Sequence, residues 1–324
     1  MGNFFKSLFP SSETEKSAAA QEKENRKKFD VFKYDGVRAQ RIGQIPYAIK
    51  CFREALKIRE DVEVLQFLAA ACAAIHDADE ALLATNRLVE LEPDNAATLL
   101  SRASLFYQTD QGNEAMADCL RVLEMDASNP VAWYLAGRIR KNSGDLTGAA
   151  DAFTKATDSK PDFVEACLMR AAVLLEMNRP EEALAGMESL AELAPEEEAV
   201  YRLRGRIHEA LDDLPSAADD YNRAIALNPF NEETYLLKGA LLLRERKWEE
   251  AIAFFDEVIE LNPSFSEAYR GRAKAKAAMG GDVDGAAADR QKADELEREK
   301  EQEKEGEEPA KRPDFNDMYK GGIF

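Results

Sequence analysis

The same pattern of side chains returns along this chain about every 34 residues, and few folds are open to a chain with that property. Val131–Asp162 shows the unit clearly. Trp133, Ala136, Gly137 and Ile139 to Arg140 fall three and four apart, as on one face of a helix. Gly144-Asp145 breaks the pattern. Ala149, Phe153 and Ala156 resume it, and Pro161 stops it. This predicts two amphipathic helices joined by a tight turn. Small residues at Gly137, Ala149 and Ala156 let the helices approach, with Trp133 and Phe153 expected to fill the gap. One such hairpin cannot bury its own apolar face, so it needs neighbours.

The chain supplies them. The small residue of the first helix recurs as Gly36, Ala69, Ala103, Gly137, Ala171, Gly205, Gly239 and Ala273. The first Ala of the second helix recurs as Ala48, Ala81, Ala115, Ala149, Ala183, Ala217, Ala251 and Ala286. Four residues later stand Phe52, Cys119, Phe153, Met187, Tyr221 and Phe255, and the closing proline returns as Pro93, Pro161, Pro195, Pro229 and Pro263. Period and pattern (W-x2-L-G-x2-Y, then A-x3-F, then P) resemble the tetratricopeptide repeat family. Trp133–Pro161, Tyr201–Pro229 and Tyr235–Pro263 match best. The resemblance implies an all-α, right-handed superhelical solenoid of eight helix-turn-helix repeats over residues 29–299. It implies an architecture and no single activity.

Repeats are expected to begin at Phe29, Val62, Ala96, Pro130, Val164, Glu198, Glu232 and Ser266. Pro46, Pro180 and Pro215 sit where a second helix starts, at a turn that has no use for their missing N–H. The last repeat carries one extra residue at Gly280-Gly281 and a polar second helix, with Arg290 where Phe255 or Tyr221 stood, as a terminal cap requires. Residues 1–28 read as a mobile segment, or a charged helix leading into the array, with an apolar cluster of Phe4, Phe5, Leu8 and Phe9. Residues 300–324 read as a tail, first acidic and then aromatic. Residues 294–308 hold nine acids and three bases and would prolong the last helix until Gly306 or Pro309. Phe315, Met318, Tyr319, Ile323 and Phe324 suggest a docking segment.

The formal net charge of −19 opposes binding to nucleic acid, whose phosphates it would repel. Cys51, Cys72, Cys119 and Cys167 are scattered one per repeat without a C-x2-C pair, so core thiols are expected rather than disulfides or metal ligands. The two histidines, His76 and His208, have no partner at metal-ligand spacing. No G-x-S-x-G, Walker loop or G-x-G-x-x-G is present. No enzyme, cofactor or metal site is therefore expected. MGNFFKSLFP is too short and interrupted for a secretory signal, Lys6 spoils a myristoylation pattern, and no run is long enough to span a bilayer. The expected location is cytoplasmic.

One polar regularity stands out. The seventh residue of each first helix is basic in Arg102, Arg170, Arg204, Lys238 and Arg272. Asp118, Asp220 and Asp289 stand opposite three of these on the second helices. The expectation is an Arg–Asp bridge that sets the register of the two helices.

The resemblance also implies that residues 2, 5, 9 and 12 of each repeat line a concave groove. On that basis Tyr134, Arg138, Lys141, Leu168, Arg202, Arg206, Leu236, Arg270 and Lys274 are the candidate partner-binding residues. Basic and apolar stripes would alternate, suiting an extended, acidic protein or peptide partner. The clamp by which some family members hold chaperone tails does not fit, since Val37, Phe67, Ala97 and Ser101 fill its positions beside Lys33. The expected function is a protein-interaction scaffold or adaptor. The alternatives are a membrane-associated assembly factor anchored by residues 1–10, and a regulatory subunit of an enzyme.

Overall fold

The computed structural model describes residues 12–306, and the two terminal apolar clusters lie outside them. The described residues form sixteen α-helices: α1 Ser12–Arg41, α2 Ile45–Ile58, α3 Val62–Ala74, α4 Ala78–Leu91, α5 Ala96–Gln108, α6 Gly112–Met125, α7 Pro130–Asn142 and α8 Leu146–Ser159. There follow α9 Val164–Glu176, α10 Pro180–Leu193, α11 Glu198–Ala210, α12 Leu214–Leu227, α13 Glu232–Arg244, α14 Trp248–Leu261, α15 Ser266–Met279 and α16 Val283–Gly306. Each repeat after the first begins a helix on its expected residue. Residues 12–28 are helical and continuous with the first repeat. The helices fall into two compact units, one reaching Ala166 and one starting at Cys167. Within each, hairpin partners pack in order, α1 with α2 and α15 with α16 among them.

One residue per hairpin makes the turn. His76, Asp110, Gly144, Asn178, Asp212, Arg246, Gly43 and Gly280 all hold φ between 58° and 83°. This left-handed conformation ends a helix by turning the chain back on the last carbonyls. The next N–H then reaches five residues back, as in Asp77 to Cys72 (2.9 Å) and Asp145 to Arg140 (2.9 Å). That same next residue caps the following helix. Asp77, Asp145 and Asp213 accept from Glu80, Gly148 and Ser216 N–H respectively. In the first seven hairpins one residue closes one helix and the next opens another, while the last hairpin carries one extra residue between Gly280 and α16.

The core follows from a matched pair of positions. Where the second helix carries an aromatic ring, the first helix carries glycine: Gly36 with Phe52, Gly137 with Phe153, Gly205 with Tyr221 and Gly239 with Phe255. A Cβ on Gly137 would stand 2.7 Å from Phe153, and one on Gly205 2.5 Å from Tyr221. Where the ring is replaced by Thr85, Cys119, Met187 or Arg290, the partner is Ala69, Ala103, Ala171 or Ala273. All four rings are fully buried.

Trp133 departs from expectation. It is half-buried and does not share the gap with Phe153. Its indole N–H donates to the Ala127 carbonyl (2.8 Å) while Lys155 lies 4.0 Å above its ring. An indole buried in the hairpin would leave its N–H unpaired, so it packs at the inter-repeat turn. Tyr201 and Tyr269 do the same, donating to the Pro195 and Pro263 carbonyls.

Gly137→Ala is expected to destabilise by about 1–3 kcal/mol through overpacking against Phe153. Adding Phe153→Met, which recreates the Ala171/Met187 pair, should recover much of that loss. Urea midpoints of the two single variants and the double variant measure the coupling, and simple additivity would refute the pairing.

Candidate partner-binding face

The expected Arg–Asp bridges are present. Arg102 grips Asp118 with two hydrogen bonds (2.7 and 2.6 Å), Arg204 grips Asp220 (2.8 and 2.5 Å) and Arg272 grips Asp289 (2.9 and 2.5 Å). All three carboxylates are buried. The hydrogen bond to Asp220 raises the Arg204 pKa, and that to Asp289 raises the Arg272 pKa. Burial pushes the Asp289 carboxyl up, but Arg272 and Lys276 outweigh it and hold the carboxyl below its ordinary value.

The other two basic residues have no carboxylate opposite. Gly186 faces Arg170, whose Nε is buried without a hydrogen-bond partner. Buried Lys238 donates to the Ala218 carbonyl (3.1 Å), and desolvation lowers its pKa.

A second basic side chain adjoins two of the bridges. Lys276 lies between Asp289 (3.0 Å) and Asp282 (3.6 Å). His208 takes the equivalent place between Asp220 (3.7 Å) and Asp213 (3.6 Å).

The candidate groove residues separate into three kinds. Arg202 is bound to Glu198 (3.2 Å) and Glu233 (2.7 Å), and Arg270 to Glu297 (2.5 Å) and Asp294 (3.4 Å). Their charge is spent within the chain. Arg206 and Lys274 are exposed, while Lys141, Leu168 and Leu236 are half-buried, with Leu236 against the core around Phe255. Arg138 is different. Its guanidinium lies 4.5 Å over the Tyr107 ring and 5.7 Å from the Tyr134 ring, held by π faces rather than by a carboxylate. Tyr134 is itself wedged against Phe163, 5.0 Å between centroids, and Phe153 at 5.9 Å.

An uncharged concavity also lies in the first unit. Between α3 and α5 lies an open pocket of about 390 Å³, lined by Ala69, Ala70, Ala73, Thr85, Leu88 and Leu105 among others. The run of alanines in α3 was the available signal. The pocket opens where the second helix has Thr85 in place of a ring, and the Thr85 hydroxyl is satisfied by the Ala81 and Leu82 carbonyls (2.9 and 3.1 Å).

Cys51, Cys72 and Cys119 are buried and Cys167 half-buried, all four as free thiols. Burial raises the Cys72 and Cys119 thiols to about 12. No cluster among the described residues could hold a metal ion, and no described helix is long and apolar enough to cross a membrane.

Two tetratricopeptide-repeat family models match this chain, over residues 142–207 and 236–296. A tetratricopeptide repeat protein from Parabacteroides merdae superposes with a TM-score of 0.59 at 16% identity, covering 77% of this chain and 99% of that one. The chain is a tetratricopeptide-repeat protein. FlbA of Caulobacter vibrioides is 29% identical over 223 residues, 65% of this chain and 35% of its own. A DnaJ homolog subfamily C member 7 homolog from Schizosaccharomyces pombe is 25% identical over 169 residues, 47% of this chain and 36% of its own. The chain thus spans about a third of either relative.

In this repeat protein the Arg–Asp bridges are expected to stabilise the hairpins. Asp220→Ala should cost about 2–3 kcal/mol, because it strands a partly buried guanidinium. An unchanged melting temperature would show the bridge to be neutral. For Asp289 the folded pKa lies below the unfolded one. Its contribution is therefore present above the ordinary carboxylate pKa of about 3.9 and lost as pH falls through the lowered value. Asp289→Asn should accordingly lower stability at neutral pH and flatten its fall below about pH 4, as followed by thermal melts from neutral to strongly acid pH.

Proposed function

We propose that this protein is an interaction scaffold that holds an extended, anionic segment of a partner on the face lined by its first helices, at Arg138. The observation that carries this is the state of Arg138. A guanidinium stacked on two phenol rings is fixed in position and keeps its N–H donors for a ligand carboxylate, which it can bind bidentately. Arg202 and Arg270 already have acidic partners in the chain. Family membership supports the scaffold reading, as do relatives built on the same repeats. The net charge of −19 repels anions from the surface at large, so an anionic segment is held only where a local positive group such as Arg138 offsets it.

The test is affinity capture from lysate with wild type, Arg138→Glu and Arg202→Glu, read by mass spectrometry. Proteins lost with Arg138→Glu and kept with Arg202→Glu are the expected outcome. Identical sets from all three would place the function elsewhere on the protein.

A further inference from the structure

The α3/α5 pocket is the feature that most sets this face apart from a generic run of helices. Nearly a third of the chain's residues are charged (32%), yet none of the pocket-lining residues is. It is lined by alanines together with Thr85, Leu88 and Leu105, all three buried. Gln66, Ser104 and Gln108 stand around it, amides and hydroxyls able to pair with a peptide backbone. Its size, about 390 Å³, falls within the range of small-ligand sites.

The pocket is the empty seat of an internal side chain. In four other repeats a ring on the second helix fills this place against glycine. Here Ala69 and Thr85 stand at the two positions, and both line the opening.

Arg138 fixes a second point. The pocket lies on one side of α5, and Arg138 reaches over Tyr107 on α5 from α7, with which α5 packs. Neighbouring helix axes are about 8–10 Å apart. An extended chain covers that distance in about three residues at roughly 3.3 Å each.

Resting on the reading of Arg138 above, we infer that the partner segment is an extended peptide. It carries an apolar side chain that enters the α3/α5 pocket and an acidic residue about three positions away that binds Arg138. The apolar residue takes the place that Phe52 or Phe153 fills in its own repeat. The uncharged lining selects an aliphatic or aromatic residue, and a charged one there would lose its hydration without a partner. The stacked guanidinium selects a carboxylate over an amide.

The probe is an array of short synthetic peptides in which one Leu and one Asp are placed at varied separations in a Gly/Ser background. Solution affinities of the best spacing and its Leu→Ala and Asp→Asn versions are then measured. The intact protein should prefer a separation near three, and each replacement should weaken binding about tenfold, the equivalent of 1.4 kcal/mol. Ala69→Gly with Thr85→Phe rebuilds the ring-and-glycine pair found elsewhere in the chain, so it should fold while filling the seat. It is expected to abolish the preference for Leu over Ala and to keep the preference for Asp over Asn. Ala70→Leu, at an exposed position on the pocket wall, is the second pocket variant and should act in the same direction. Arg138→Glu should do the reverse.

A Leu preference that survives both pocket variants overturns the inference, as does an array with no Leu dependence. Loss of Leu dependence alone leaves the Arg138 reading intact. An Asp preference unaffected by Arg138→Glu removes that reading and this one with it.

Discussion

The close approach of two helices inside each hairpin is the constraint on which everything else rests. It is set by the fit between one side chain on the second helix and one small residue on the first. A ring demands glycine, because a single methyl at Gly205 would come within 2.5 Å of Tyr221. A smaller plug permits alanine. Interiors packed to crystal-like density leave little freedom between these cases. Once the pair is chosen, helix spacing, turn and offer of surface to the next hairpin follow, which is how a short pattern can specify a long array.

The polar bridges act on the same interface by direction rather than by volume. A bidentate Arg204–Asp220 contact has one good geometry, so it fixes the rotation of one helix against the other. Buried ion pairs often contribute little net stability beside a well-packed apolar pair, and their better attested role is to select one register. Hairpins that lack the pair have other means. The α7–α8 hairpin has Ala136 and relies on Phe153, and in the α13–α14 hairpin Lys238 reaches instead to the Ala218 carbonyl of α12 in the preceding hairpin.

Helix starts, prolines and the Arg–Asp partners were legible in the sequence because each is a local rule repeated in phase. Pro180 does begin α10. The candidate face was less legible. Arg138, Arg202 and Arg270 are chemically alike on paper. Only the fold shows that Glu233 and Glu297 come from neighbouring helices to neutralise two of them, while Tyr107 and Tyr134 cradle the third. Trp133 misled for a related reason, since hydropathy gives no account of where an indole N–H will find an acceptor. The pocket went unread because it is made by a missing ring, and an absence becomes visible only when Thr85 is compared with Phe52 and Phe153 in space.

The order of plugs along the first unit has a further consequence. Phe52 and Phe153 stand in its outer hairpins, and Thr85 and Cys119 in the two between them. Fewer apolar contacts hold the middle hairpins than their ringed neighbours, so sub-global opening should cost less there, and backbone amides of α3–α6 would exchange with solvent before those of α2, α7 and α8. A side chain supplied from outside to the vacant seat would add those contacts back. Ligand and fold would then draw on the same term, and occupancy would stiffen the hairpins that lack a ring of their own.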